Sequence, residues 1–88
     1  MDEGKPVKDV ILQSYVIEIL RELKLPKRFN DIQKNVDITN QTLSVKLLKL
    51  KEYGLVRVTP SLEDGKYVNK YALTEKGRRI LGHLDAIR

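Results

Sequence analysis

Thr39-Asn40-Gln41-Thr42-Leu43-Ser44-Val45-Lys46-Leu47-Leu48-Lys49-Leu50-Lys51-Glu52-Tyr53-Gly54 runs without a break into Leu55-Val56-Arg57-Val58-Thr59-Pro60. Within this stretch the apolar period changes from helical to strand-like, and that change decides the fold. Leu43, Leu47 and Leu50 recur at i, i+4 and i+7, which is one face of a helix. Thr39 carries the hydroxyl an N-cap needs. Gly54 stands where a left-handed C-cap is expected. The spacing predicts a helix over 39–53. Leu55 to Thr59 is rich in β-branched residues and is closed by Pro60. Asp64-Gly65 is a turn dipeptide. Tyr67, Asn69, Tyr71 and Leu73 then alternate with Val68, Lys70 and Ala72. Two strands around a turn predict a β-hairpin over 55–73.

Upstream, Asn30 is a good N-cap and Gln33 lies three residues on, at capping-box spacing. A short helix is expected from there to about Val36, with Phe29 and Ile32 facing the core and Asp37-Ile38 as the turn. Two helices joined in this way outline a helix-turn-helix. Pro26 ends an earlier helix, Asp9 to Leu25. Leu12, Val16, Ile19 and Leu23 share one stripe of it; Val10 and Ile17 lie on a second face, Ile11 and Tyr15 on a third. One core buries one stripe. The surplus points to packing against a second copy of the chain; a central helix wrapped by its own domain is the alternative. Thr74 caps a last helix, Glu75 to about Ile87, with Ile80, Leu81, Leu84 and Ile87 on its apolar side. Residues 1–8 form a polar tail, and 9–88 a single domain. The order is helix, helix, turn, helix, hairpin, helix. The fold class is α+β, mostly α: a winged helix-turn-helix.

The chain has 88 residues, room for one core. It has no cysteine, which removes disulfides, thiolate zinc sites and cysteine nucleophiles together. A single histidine, His83, is too little for a histidine metal centre, so no metal and no cofactor are expected. The longest charge-free stretches are eight residues, too short for a membrane span. The start, Met-Asp-Glu-Gly-Lys, has no apolar run of signal-peptide type. A cytoplasmic, nucleoid-associated protein is expected. No nucleophile–base set or glycine-rich phosphate loop is visible, which argues against an enzyme.

The net charge is +5, and it is unevenly spread. Residues 1–37 carry seven basic and seven acidic residues; residues 38–88 carry ten basic and five acidic. A basic half beside a neutral half points to a polyanion, although a solvated lysine-rich surface has the same composition. With Leu43 at zero on a helical wheel, Gln41, Thr42, Val45, Leu48, Lys49 and Glu52 fall on the far side. The N-terminal part of a recognition helix reaches base edges. Asn40, Gln41, Thr42, Ser44 and Val45 are therefore the candidate readers, with Thr39 at their cap. Gln or Asn can bond adenine, and Thr or Val can pack on a thymine methyl. No arginine lies on this face, so sites containing A·T are favoured. The plainer reading of these residues is polar surface at a helix start. Arg28 and Asn30 sit at a helix N-terminus, Lys34, Lys46 and Lys49 flank the reading face, and Arg57, Lys66 and Lys70 lie on or beside the hairpin. All eight are candidate phosphate contacts. Arg78 and Arg79 are less firmly placed. Tyr53, Tyr67 and Tyr71 are expected in core packing rather than as a stacking platform for single strands.

The run Arg28-Phe29-Asn30-Asp31-Ile32, then Ile38-Thr39, Thr42 to Leu50 and Gly54-Leu55-Val56, resembles the winged-helix transcriptional regulators. It is most similar to the HxlR type, more loosely to the MarR and ArsR types. Tyr71-Ala72-Leu73-Thr74-Glu75-Lys76-Gly77-Arg78 resembles the end of the wing and the helix that follows it in the same group. The resemblance covers roughly residues 10–82. It implies a homodimer that binds duplex DNA sequence-specifically, with the first and last helices building the dimer. Val10, Ile11, Tyr15, Ile17, Ile80, Leu84 and Ile87 are the expected interface. The acidic wing tip, Leu62-Glu63-Asp64-Gly65, departs from wings that carry Arg or Lys there. That tip and Leu48 favour a second reading, a winged helix used for protein contacts. A nonspecific architectural DNA coat is the third.

Overall fold

The turn dipeptide sets the hairpin. The computed structural model describes residues 15–87. Asp64 and Gly65 have φ of 52° and 77°. Positive φ at both positions is the turn whose twist matches two strands joined by two residues. Strands β1 (Val56–Glu63) and β2 (Lys66–Leu73) are antiparallel, with Glu63 opposite Lys66 next to the turn. β1 therefore passes through Pro60, where the sequence predicts its end. The register explains why. A two-residue turn makes Glu63–Lys66 a hydrogen-bonded pair, and pairs then alternate. Pro60 faces Asn69 at a non-bonded position, so its missing N–H removes no ladder bond. The outer edge of β2 confirms the parity. Tyr71 donates its N–H away from β1, to the Lys27 carbonyl at 2.7 Å, and Lys27 donates back to the Tyr71 carbonyl at 3.0 Å.

Four helices are described: α1 (Val16–Glu22), α2 (Phe29–Val36), α3 (Asn40–Glu52) and α4 (Glu75–Ile87). The expected helix over 9–25 is cut at both ends of its described part. Tyr15 is left-handed, with φ of 70°, and α1 starts after it. At the other end the Lys24 N–H bonds back to the Arg21 carbonyl, and Leu23 to Leu20 as well as Ile19. Such tightened bonds close a last turn. The residue before Pro26, Leu25, is 71% exposed. Residues 9–14 lie outside the described part.

α2 begins at Phe29, so Arg28 and not Asn30 is its N-cap, and no side chain caps it. The paired hydrogen bonds of Lys27 with Tyr71 hold the chain extended up to Arg28, and the helix starts directly afterwards. Gln33 does not reach back as a capping box requires. Its amide donates forward to the Ile38 carbonyl at 3.0 Å and braces the turn into α3. α3 is capped as its sequence predicts: the Thr42 N–H donates to the Thr39 hydroxyl at 3.2 Å. At its far end Gly54 has φ of 75°, and Leu55 and Gly54 donate to the carbonyls of Leu50 and Lys51, the bonds of a Schellman closure. Thr74 joins two caps. Its hydroxyl accepts from Gly77 N–H at 3.0 Å and donates to the Gly54 carbonyl at 2.6 Å.

The core is Val16, Ile19, Leu20 and Leu23 of α1 and the turn after it, Ile32, Ile38, the Leu43–Leu47–Leu50 stripe, Leu55, Val56, Leu73 and Leu81. Leu20 was absent from the stripe read in the sequence, and Leu12 lies outside the described residues. Tyr53 and Tyr71 pack against this core as expected. Tyr67 does not: it is 77% exposed, opposite Leu62 near the turn and beyond the reach of the core. Asp85 ties α4 to the α1 region, accepting from Arg21 at 3.1 Å and pairing with Lys24 at 3.6 Å.

Candidate nucleic-acid interface

Burying Leu43, Leu47 and Leu50 turns the opposite side of α3 outward. Asn40, Gln41, Ser44, Val45 and Leu48 are exposed; Thr42, Lys46 and Lys49 are half-buried. The Thr39 hydroxyl is committed to the cap and donates to the Thr42 hydroxyl at 2.9 Å. Asn40, Gln41 and Ser44 bond no described side chain, so their polar groups are available for a ligand. The first turn of α3 holds no acidic residue, so nothing there opposes an anion at the helix's positive end. Val45 and Leu48 are 55% and 57% exposed, which puts an apolar strip through the middle of the face. Between α3 and the hairpin, Ser44, Leu47, Leu48, Lys51, Val58 and Tyr71 line a hollow of about 220 Å³.

Apart from Lys46, which has a partner of its own, the candidate cations divide into two groups. Lys34, Lys49, Arg57 and Lys66 make no ion pair with any described residue, and all but Lys49 are exposed. Arg28 and Lys70 are paired. The Arg28 guanidinium lies 3.6 Å from Asp31 and 3.9 Å from Glu63, and Lys70 pairs with the other oxygen of Glu63. Glu63, beside Asp64, is one of two acids at the wing tip. Its carboxyl is held below the ordinary carboxylate range, first by the bond from Lys70 and then by the charges of Lys70 and Arg28. Asn30, exposed on the first turn of α2, stands beside Arg28. Sequence reasoning saw Glu63 only as an acid at the tip. Its pairing was hidden because its cross-strand neighbour is Lys66, whereas the carboxylate turns to Lys70 and to α2. Lys51 was also missed; it is exposed in the last turn of α3. Its place one turn from Leu48 was the available signal.

Of the expected self-association residues, Tyr15 is 42% exposed. Ile17 and Leu84 are half-buried, while Ile80 packs against the core. Val10 and Ile11 lie outside the described residues, as does the side chain of Ile87. Among the described residues no group of three or more metal-ligating side chains could hold an ion. No described helix is long and apolar enough to cross a membrane.

The family model for the HxlR-like helix-turn-helix matches residues 10–88. The chain belongs to the HxlR-like helix-turn-helix family. Solved structures agree. A "possible HxlR family transcriptional factor" from Thermoplasma volcanium GSS1 is 26% identical, with 99% of this chain and 79% of that one covered and a TM-score of 0.78. The reduced form of the transcriptional regulator YodB from B. subtilis is 23% identical, covers 91% and 79%, and has a TM-score of 0.81. A MarR-family structure from Enterococcus faecalis V583 is 21% identical, covers 99% and 83%, and has a TM-score of 0.81. At these last two identities the likeness speaks for the fold alone. A comparison with curated proteins gives no match. As an HxlR-like winged helix, the protein is a DNA-binding transcription regulator.

Proposed function

We propose that the protein binds specific sites in double-stranded DNA as a homodimer, with α3 in the major groove and the β1–β2 wing against the backbone. The observation that carries this reading is the free polar start of α3. Asn40, Gln41 and Ser44 stand exposed and uncommitted, on a helix whose first turn holds no acid. The major groove admits a helix, and amide side chains can bond adenine bidentately there. Val45 adds an apolar contact for a thymine methyl. Lys34, Lys49, Arg57 and Lys66 meet phosphates, which fixes register without reading sequence. α1 and α4, with Tyr15, Ile17 and Leu84, form the dimer surface. The site of action is the nucleoid, in the cytoplasm.

Titration of a labelled duplex over a salt series tests this. The four unpaired cations alone predict that log affinity falls against log salt with a slope of about −4 per subunit. No binding at low salt overturns the reading. In that event the exposed Val45 and Leu48 favour the second reading, a winged helix that meets another protein through the same face. Equal affinity for a selected site and for bulk DNA points instead to an architectural coat.

A further inference from the structure

We propose that Glu63 is an internal competitor for DNA phosphate: in the free protein its carboxylate occupies an anion site built by Arg28 and Lys70. The inference rests on the duplex-binding reading and specifies how one part of that interface works.

Two cations from separate elements converge on one carboxylate. Arg28 comes from the N-cap of α2 and Lys70 from β2. Each takes a different oxygen of Glu63, Arg28 at Oε1 and Lys70 at Oε2. Glu63 has a nearer choice and does not take it. Lys66 is its direct cross-strand partner, yet Lys66 makes no ion pair with a described residue. Lys70 lies on the same face of the hairpin, two bonded pairs further from the turn. The site is thus organised around an anion held between wing and helix. All three side chains keep partial exposure, so the carboxylate can be exchanged for an outside oxyanion. With Asp31 also at Arg28, the cluster has two positive and two negative charges and no net pull on DNA.

Two consequences follow. Arg28 and Lys70 add little to long-range attraction while Glu63 holds them. On a duplex, a phosphate takes the place of the carboxylate, and the displaced Glu63 is left close to the backbone. Glu63 therefore lowers affinity for all DNA alike, because phosphates carry no sequence. Its effect is to lower the phosphate contribution at every site and leave discrimination to α3.

Glu63→Gln tests this, since glutamine keeps the size of the side chain and one of its two acceptor oxygens and removes the charge. The probe is a labelled duplex of random sequence, titrated over a salt series. The variant is expected to bind about three- to ten-fold tighter near physiological salt, with a slope steeper by about one per subunit. In an Arg28→Ala, Lys70→Ala background the same substitution is expected to change both quantities far less, because only the repulsion between the carboxylate and the backbone is left to remove. Equal affinity and slope in wild type and Glu63→Gln overturn the proposal. So does weaker binding with a lowered melting temperature, which marks Glu63 as a tether of the wing. If neither protein binds duplex at any salt, the duplex-binding reading has failed and the competitor role falls with it.

Discussion

Gly77 is fixed by space rather than by backbone angle. A Cβ there would lie 2.2 Å from the Leu55 carbonyl oxygen, a backbone atom that cannot swing away. Gly77→Ala is expected to cost about 2–3 kcal/mol by overpacking, read as a lower denaturation midpoint. Gly54→Ala has open space around it but φ of 75°, and is expected to cost about 1 kcal/mol. A reversed order of these two variants would contradict the packing described. Glu22 offers a pH test. Its carboxyl is lowered, first by the Asn35 amide, which donates to it at 2.8 Å, and then by Lys27. A lowered pKa stabilises the fold above the unfolded value and is lost as pH falls through the folded one. Asn35→Ala should therefore cost about 1 kcal/mol at neutral pH and flatten the loss of stability below about pH 4.5. An unchanged acid limb would reject that bond. At this scale the caps at Thr39, Gly54 and Thr74 were legible, because each depends on neighbours within a few residues. The roles of Gln33 and Gly77 were not, since Ile38 and Leu55 become their partners only once turns and helices have packed.

Among the elements, α3 and the hairpin were read nearly as they stand, because a three-leucine stripe and an Asp-Gly turn are strong local signals. The start of α2 and the end of β1 were misplaced. Both errors trace to the sheet, whose edge bonds at Lys27 and whose alternation at Pro60 decide what the local residues leave open. The register yields a paired prediction. Pro60→Ala should change stability by no more than about 0.5 kcal/mol, since no ladder bond is at stake there. Ser61→Pro, one residue along at a bonded position, should cost about 3 kcal/mol. Equal effects in thermal unfolding would reject the register.

Over the whole molecule, the basic residues of the candidate interface are of two kinds. Lys34, Arg57 and Lys66 stand unpaired among the described residues, while Arg28 and Lys70 are neutralised within the protein. Charge counting located the basic half but could not separate the two, because pairing across elements is a tertiary property. The dimer proposal is tested at this scale too. Wild type should show twice the chain mass by light scattering, and Tyr15→Glu should return it towards one chain; a monomeric wild type contradicts the proposal. Base reading by the exposed face of α3 is the step on which the proposed function depends. Its most direct measurement selects preferred duplexes from a random pool with wild type. It then compares selected with random duplex for Gln41→Ala, Val45→Ala protein. The variant is expected to lose the preference for the selected site while its affinity for random duplex stays nearly unchanged. A variant that keeps the full wild-type preference would contradict it.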